Sequence, residues 1–269
     1  MSLHRIDWDS LVRRTVELDR EPRAAAVGVF DGLHRGHAEL IRQVTARGHP
    51  AVVTFRENPR KLLAPGDYQG DIFTLRRKLE VLEEYGVEEA VVIDFSEKFS
   101  KLKGQEFIAL MEGLLHVGFL VIGSNFRCGF RQDTDASFIK TMNEKLGIET
   151  CVVPQVVEGG FPVSSSRIRA AIRGGDLAAA ASMLGRNPDL DLRGIVPCTA
   201  GSGKGWYYEA LRLGRIIPAP GSYPALVQGG GCFRTVVSVD TRGVLIPSYE
   251  GFDPENAVSV EFLIETLKF

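Results

Sequence analysis

The chain has 269 residues, enough for one large domain or two modest ones, and is 44% hydrophobic and 25% charged with a net charge of −2. That is an ordinary globular composition, and it lacks the basic excess of a large nucleic-acid surface. No run approaches membrane-spanning length and no signal-peptide core opens the chain, while Cys128, Cys151, Cys198 and Cys232 form no C-x-x-C pair, so free thiols in a reducing cytoplasm are expected.

A short amphipathic helix is expected near Ser10–Leu18, after which strand and helix patterns alternate. Strands are predicted at Ala24–Phe30, Ala51–Phe55, Ala90–Phe95, Phe119–Ile122 and Glu149–Val153. Helices fit His37–Ala46, Leu75–Tyr85, Gln105–Leu115 and Ala136–Leu146, with Thr74 as an N-cap and Gly86 and Gly147 as C-terminal glycines. Alternation of this kind implies an α/β fold, a doubly wound parallel sheet with crossover helices. In such sheets ligands bind beyond the carboxyl ends of the strands, near the switch in strand order.

The stretch Ala25-Ala26-Val27-Gly28-Val29-Phe30-Asp31-Gly32-Leu33-His34-Arg35-Gly36-His37 leaves the first of these strands through a glycine-containing turn. It enters a helix whose apolar face carries Leu40, Ile41 and Val44. Free backbone N–H groups and the positive end of the helix dipole suit a phosphate there. His34 and His37 stand at the same turn, where imidazole can donate to phosphate oxygens and neutralise charge on a leaving pyrophosphate. Surface residues on an ordinary turn are the plain alternative. A metal pair is a further one, although His4, His49 and His116 are scattered. The glycines fit neither G-x-G-x-x-G nor a Walker pattern.

Three more strand ends carry polar groups. Thr54-Phe55-Arg56-Glu57-Asn58-Pro59 leaves the second strand, and Gly123-Ser124-Asn125-Phe126-Arg127-Cys128-Gly129-Phe130 leaves the fourth with an amide, an arginine and two glycines. Pro162-Val163-Ser164-Ser165-Ser166-Arg167-Ile168-Arg169 opens a further helix by a serine cap. Arg167 and Arg169 in its first turn oppose the helix dipole, a conflict that either a bound triphosphate or plain solvation would relieve.

Taken together these motifs resemble the bacterial FAD synthetases, whose adenylyltransferase module belongs to the histidine-motif nucleotidyltransferases. Gly28 through His37 is similar to the family's G-x-F-D-G-x-H-x-G-H signature, Gly123–Gly129 to its Asn-Phe loop, and Ser165–Arg169 to its Ser-Ser/Thr-x-Ile-Arg motif. Gly174-Gly175-Asp176 with Leu184-Gly185-Arg186 looks like the segment closing the first module. The resemblance implies transfer of AMP from ATP to FMN, giving FAD and pyrophosphate, with Mg²⁺ on the phosphates and few protein ligands of its own. It implies that His34, His37 and Arg167 are catalytic. It implies that Gly28, Phe30, Asp31, Gly32, Asn58, Asn125, Ser165, Ser166 and Arg169 bind ATP or FMN. Where the family usually has Pro-His-Pro, this chain has Glu57-Asn58-Pro59, which replaces a histidine by a neutral amide.

From Asn187 onward helical periodicity stops, giving an expected division into domains 1–186 and 187–269. Strands are expected at Leu192–Cys198, Ala225–Gln228, Cys232–Val239 and Ala257–Leu263, a small antiparallel β-barrel with a helix only at the extreme end. The resemblance makes this a riboflavin kinase-like barrel, with Arg215–Tyr223 similar to its Leu-Pro-x-x-Gly-x-Tyr strand start and Val260-Glu261 to the strand of its catalytic glutamate. Its Pro-Thr-Ala-Asn motif is missing, so kinase activity is expected to be absent. Gly201-Ser202-Gly203-Lys204-Gly205 fails the Walker pattern and reads as a hairpin turn. Two other functions remain open: a nucleotidyltransferase with another phosphate acceptor, and a flavin- or nucleotide-binding protein without catalysis. Expected partners are small molecules, with neither nucleic acid nor membrane.

Overall fold

The computed structural model describes residues 2–200 and 205–264. Packing divides the chain into two compact units, one of Met1–Tyr68 with Lys78–Val157, the other of Gln69–Arg77 with Glu158–Phe269. These cuts are distinct from the compositional break at 187.

The first unit is built on a six-stranded sheet of β1 (His4–Asp7), β2 (Arg23–Val27), β3 (Pro50–Phe55), β4 (Glu89–Ile93), β5 (Val117–Gly123) and β6 (Glu149–Val153). Its order is β1-β4-β3-β2-β5-β6, and every pair is parallel. Parallel strands need crossovers, which come here from α2 (Arg35–Thr45), α3 (Leu75–Glu84), α4 (Gly104–Leu115) and α5 (Ala136–Leu146). The strand order runs one way from β2 to β3 and β4, and the other way to β5 and β6, so the switch lies between β2 and β5. Apolar runs such as Ala24–Val27 and Ala51–Val53 are buried throughout, as strands covered on both faces must be. Val27, Val53, Val91, Leu120 and Ile122 pack with Phe107, Ile108, Met111 and Leu115 of α4 in one cluster. Each such side chain contributes about 2 kcal/mol when fully buried.

Two expectations near the start are corrected. The helix expected over Ser10–Leu18 is α1, Trp8–Val12, because the chain turns at Arg14 with φ +54° and Thr15 closes back onto the Ser10 carbonyl. Trp8 and Leu11 form its buried stripe, while Leu18 packs on the core from outside the helix. Strand β1 was not expected, since Ile6 is the single buried residue in its four. The β2 strand also stops at Val27 instead of Phe30, as the turn begins at once. Thr74 caps α3 as expected, its Oγ1 accepting from the Arg77 N–H at 2.9 Å, and Gly147 ends α5 with φ +74°.

The second unit contains α6 (Ser165–Arg173), α7 (Leu177–Leu184) and a seven-stranded sheet. Its strands are β7 (Asp189–Asp191), β8 (Cys198–Thr199), β9 (Gly205–Glu209), β10 (Gly221–Gly229), β11 (Cys232–Asp240), β12 (Gly243–Pro247) and β13 (Ala257–Phe262). They pair antiparallel in the order β7-β13-β10-β11-β12-β9-β8, the curled sheet that the barrel expectation required. Alternate residues face inward, Ala225 and Val227 with Val237 and Val239, Val244 and Ile246, Val260 and Phe262. The strand expected over Leu192–Cys198 is absent as such. Pairing ends at Asp191, whose carboxylate accepts the Arg193 N–H, and Gly194 turns with φ +79°. A one-turn helix at Ala210–Leu213 was likewise not expected. The turn expected at Gly201–Gly205 and the helix at the extreme end fall on residues 201–204 and 265–269, outside the described residues.

The Gln69–Arg77 segment is held within this unit by polar contacts. Thr74 Oγ1 donates to Asp191 Oδ2 at 2.7 Å, Arg77 Nε to Asp189 Oδ2 at 2.7 Å, and Ile216 N to the Asp71 carbonyl at 3.1 Å. Burial pushes the Asp189 carboxyl above its ordinary value despite Arg77. Burial acts on Asp191 too, but hydrogen bonds from Arg193 and Thr74 outweigh it and hold that carboxyl below the usual range.

Candidate nucleotide-binding turn

The turn after β2 is a strained stretch of backbone. Phe30 (φ +51°), Gly32 (φ +77°) and Leu33 (φ +40°) all adopt left-handed conformations, two of them with bulky side chains. A non-glycine residue there costs roughly 1–2 kcal/mol. Complete burial of the Phe30 and Leu33 side chains offsets that cost. Glycine suits position 28 as well, where a Cβ would lie 3.3 Å from the Phe30 ring.

The strain aims the side chains. His34 is the N-cap of α2, and its Nδ1 accepts the His37 N–H at 3.4 Å. An accepting Nδ1 puts the proton of the neutral ring on Nε2, so His34 keeps a donor at its far nitrogen. The His37 ring stacks on it, centroids 3.7 Å apart and planes 17° from parallel, and the Phe30 ring meets His37 edge-on at 5.1 Å. Both predicted histidines are therefore brought together at the start of an eleven-residue helix, on the carboxyl side of β2 beside the topological switch. The His37 N–H is taken by the His34 cap and the Ala38 N–H by the His34 carbonyl, and the positive end of the helix dipole at this turn favours an anion. Asp31 is buried in the same turn.

The other predicted residues of this unit are placed separately. Asn58 is buried and its Oδ1 accepts the Arg60 N–H at 3.1 Å, ahead of the short helix Arg60–Leu63, whose N-cap is Pro59. Asn125 is exposed at the end of β5. Beside it, burial pushes the Cys128 thiol up to about 12, which makes it a packing group and not a nucleophile.

In the second unit the serine cap is Ser164, accepting from the Arg167 N–H at 3.3 Å, and Ser165 and Ser166 form the first turn of α6. The conflict between the arginines and the helix dipole has a local answer. Arg167 Nη1 donates to the Phe161 and Pro162 carbonyls at 2.8 and 2.7 Å, and its Nη2 to the Glu158 carbonyl at 3.3 Å. Arg169 is buried, with Nε donating to the Gly70 carbonyl at 2.9 Å. Sequence reasoning offers phosphate or solvent as the partner of both arginines and does not foresee these carbonyls.

It also misses Lys78, buried on α3, whose Nζ donates to Thr54 Oγ1 at 3.2 Å and to the Phe55 carbonyl at 3.0 Å. A usable signal is present, because Lys78 is three and four residues before Val81 and Leu82 on the apolar stripe of that helix.

Comparison with known proteins agrees with the motif reading. A family model described as FAD synthetase matches residues 17–167. The bifunctional riboflavin kinase/FMN adenylyltransferase of Escherichia coli (strain K12) is 30% identical over 231 residues, 82% of this chain and 74% of that protein. The protein of the same name from Bacillus subtilis (strain 168) is 31% identical over 219 residues, 77% of this chain and 67% of that one. A crystal structure of a macrolide-efflux protein from Streptococcus pneumoniae superposes with a TM-score of 0.78 at 24% identity, covering 99% of this chain and 93% of that one. That likeness is one of fold alone.

Proposed function

This chain is an adenylyltransferase of the FAD synthetase family, and from that premise we propose that its acceptor is FMN and that it has no riboflavin kinase activity. The stacked His34–His37 pair at the amino end of α2 is the observation that carries the reading. An FMN phosphate oxygen attacks the α-phosphorus of ATP in line, the bond to the β-phosphate oxygen breaks, and pyrophosphate leaves with the electron pair. The protein forms no covalent bond, so orientation and charge stabilisation provide the rate.

In the proposed assignment His34 and His37 donate to phosphate oxygens on which charge grows. Gly28, Phe30, Asp31 and Gly32 shape the nucleotide site, with Asn58 and Asn125 as ligand contacts. Ser165, Ser166, Arg167 and Arg169 are proposed phosphate contacts, the two arginines giving up or sharing backbone carbonyls to act. Mg²⁺ is proposed to arrive on the ATP phosphates. Asp31 is the one carboxylate in the turn Gly28–His34, so the ion keeps chiefly phosphate and water ligands. The reading is of a cytoplasmic enzyme, and among the described residues no helix is long and apolar enough to cross a membrane.

Two features support loss of the kinase. The segment between Trp206 and Arg215 lacks the family's Mg-ATP motif. Glu261, at the position that resembles the kinase glutamate, accepts from Asn187 Nδ2 at 2.8 Å and stands opposite Asp189 in the β7–β13 ladder. A carboxylate that already accepts from a side-chain amide is partly committed before any substrate hydroxyl reaches it.

The acceptor is tested by pyrophosphate release from Mg-ATP with FMN, nicotinate mononucleotide or phosphopantetheine. Release with FMN alone is expected, and release with another acceptor instead would overturn the assignment. His37→Ala should lower turnover by about 10²–10³ while circular dichroism stays unchanged. Unchanged turnover would remove His37 from the chemistry.

A further inference from the structure

The hydrogen bonds behind the nucleotide-binding turn run in one direction. Lys78 is 4% exposed, and its ammonium donates to Thr54 Oγ1 and to the Phe55 carbonyl. Thr54, fully buried, donates its single proton to the Val29 carbonyl at 3.1 Å. A hydroxyl that gives its proton to Val29 receives the Lys78 N–H on a lone pair, so each donor polarises the next. Gly28 N–H donates to the Val53 carbonyl at 3.1 Å, the last backbone bond between β2 and β3. Beyond it a side-chain hydroxyl holds the Val29 carbonyl.

The bond matters because of the residue next in the chain. The Val29 carbonyl shares its peptide plane with the N–H of Phe30, whose φ of +51° is left-handed. Holding that plane fixes the direction in which Phe30 leaves the strand, hence the edge-on contact of its ring with His37 and the stack of His37 on His34. We propose that Lys78 is a positioning residue for adenylyl transfer, acting through Thr54 and the Val29 carbonyl to set the His37 ring. This rests on the adenylyltransferase reading of the turn. The effect of Lys78 on the histidine rings is carried by the peptide and the Phe30 ring.

The test uses the full chain with Thr54→Val, which keeps the shape and removes the hydroxyl, Thr54→Ser, which restores it, Lys78→Met, and the Thr54→Val/Lys78→Met pair. FAD formation from FMN gives kcat and the KM for ATP, and NMR of the imidazoles follows His34 and His37. Thr54→Val should lower kcat about tenfold and shift the His37 resonances, whereas Thr54→Ser should stay within about twofold of the parent. The double variant should be no slower than the slower single variant, because both changes break one relay. Parental kcat and unmoved His37 signals in Thr54→Val would overturn the proposal. Equal losses in the Val and Ser variants would do so too, as would a double variant equal to the product of the singles. A parent protein that makes no FAD would refute the functional reading, while the His37 signals of the Val and Ser variants would still decide the positioning claim.

Discussion

Gly36 lies between the two histidines in the first turn of α2, and a Cβ built there would approach the His34 ring to 3.2 Å. Its backbone is not left-handed, so alanine fits the helix and by propensity stabilises it by about 0.5–1 kcal/mol. The side chain must nevertheless displace the ring that caps α2 and stacks on His37. Gly36→Ala is therefore expected to melt close to the parent temperature, the gain in helix propensity offset by the disturbed cap, and to make FAD about tenfold more slowly. A variant as active as the parent would show that the stack does not matter. At this scale the histidines were legible because polar side chains at fixed spacing after a strand and a glycine turn imply an anion. Lys78 was not, because the run Arg76-Arg77-Lys78 reads as a charged helix surface unless its register with Val81 and Leu82 is followed. The carbonyl partners of Arg167 and Arg169 could not be read at all, since they depend on how Gly70 and Glu158–Pro162 fold back.

Among elements, the long parallel strands were legible from their apolar runs, and α2 to α5 from their stripes and caps. Errors fell where tertiary contacts decide. α1 ends early through a left-handed Arg14, and the strand expected from Leu192 is replaced by a turn that Asp191 and Gly194 shape. Polar residues buried by packing also escape periodicity, and two of them yield predictions. Glu112 of α4 is buried beside Asn143 of α5, and burial drives its carboxyl above the ordinary 4.5, Asn143 acting in the opposite sense. The folded chain thus holds this proton more tightly than the unfolded chain does. Its contribution is fullest below the unfolded value and falls as pH rises through the raised one. Glu112→Gln should lose less melting temperature than the parent between about pH 5 and pH 8. Parallel curves would exclude a titrating Glu112. Arg77 presents the second case, since its removal takes the hydrogen-bonded cation from an Asp189 carboxyl that burial already pushes up, with Arg186 the other cation acting on it. Arg77→Ala is expected to destabilise the second unit by about 3 kcal/mol in denaturant unfolding. A loss under about 1 kcal/mol would place that pair among the energetically neutral ones.

For the whole molecule, composition and alternation were enough to foresee a doubly wound sheet followed by an antiparallel curled one, and the four motifs were enough to foresee the family. The packing units were not foreseeable from composition. Gln69–Arg77 is separated in sequence from the rest of its unit and is bound there by Thr74, Arg77 and the Asp71 carbonyl, contacts that no local pattern encodes. The same limit applies to Glu261, whose engagement by Asn187 follows from ladder register and not from either residue's neighbours in sequence. The Escherichia coli and Bacillus subtilis relatives are named bifunctional, and this chain carries a seven-stranded antiparallel sheet in its second unit, for which we propose that kinase activity is lost. The central claim is thus an adenylyltransferase that depends on FMN made elsewhere. It is tested most directly by incubating the purified chain with Mg-ATP and either FMN or riboflavin, then resolving the flavins by chromatography. The account predicts FAD from FMN and unchanged riboflavin; FMN or FAD appearing from riboflavin would contradict it.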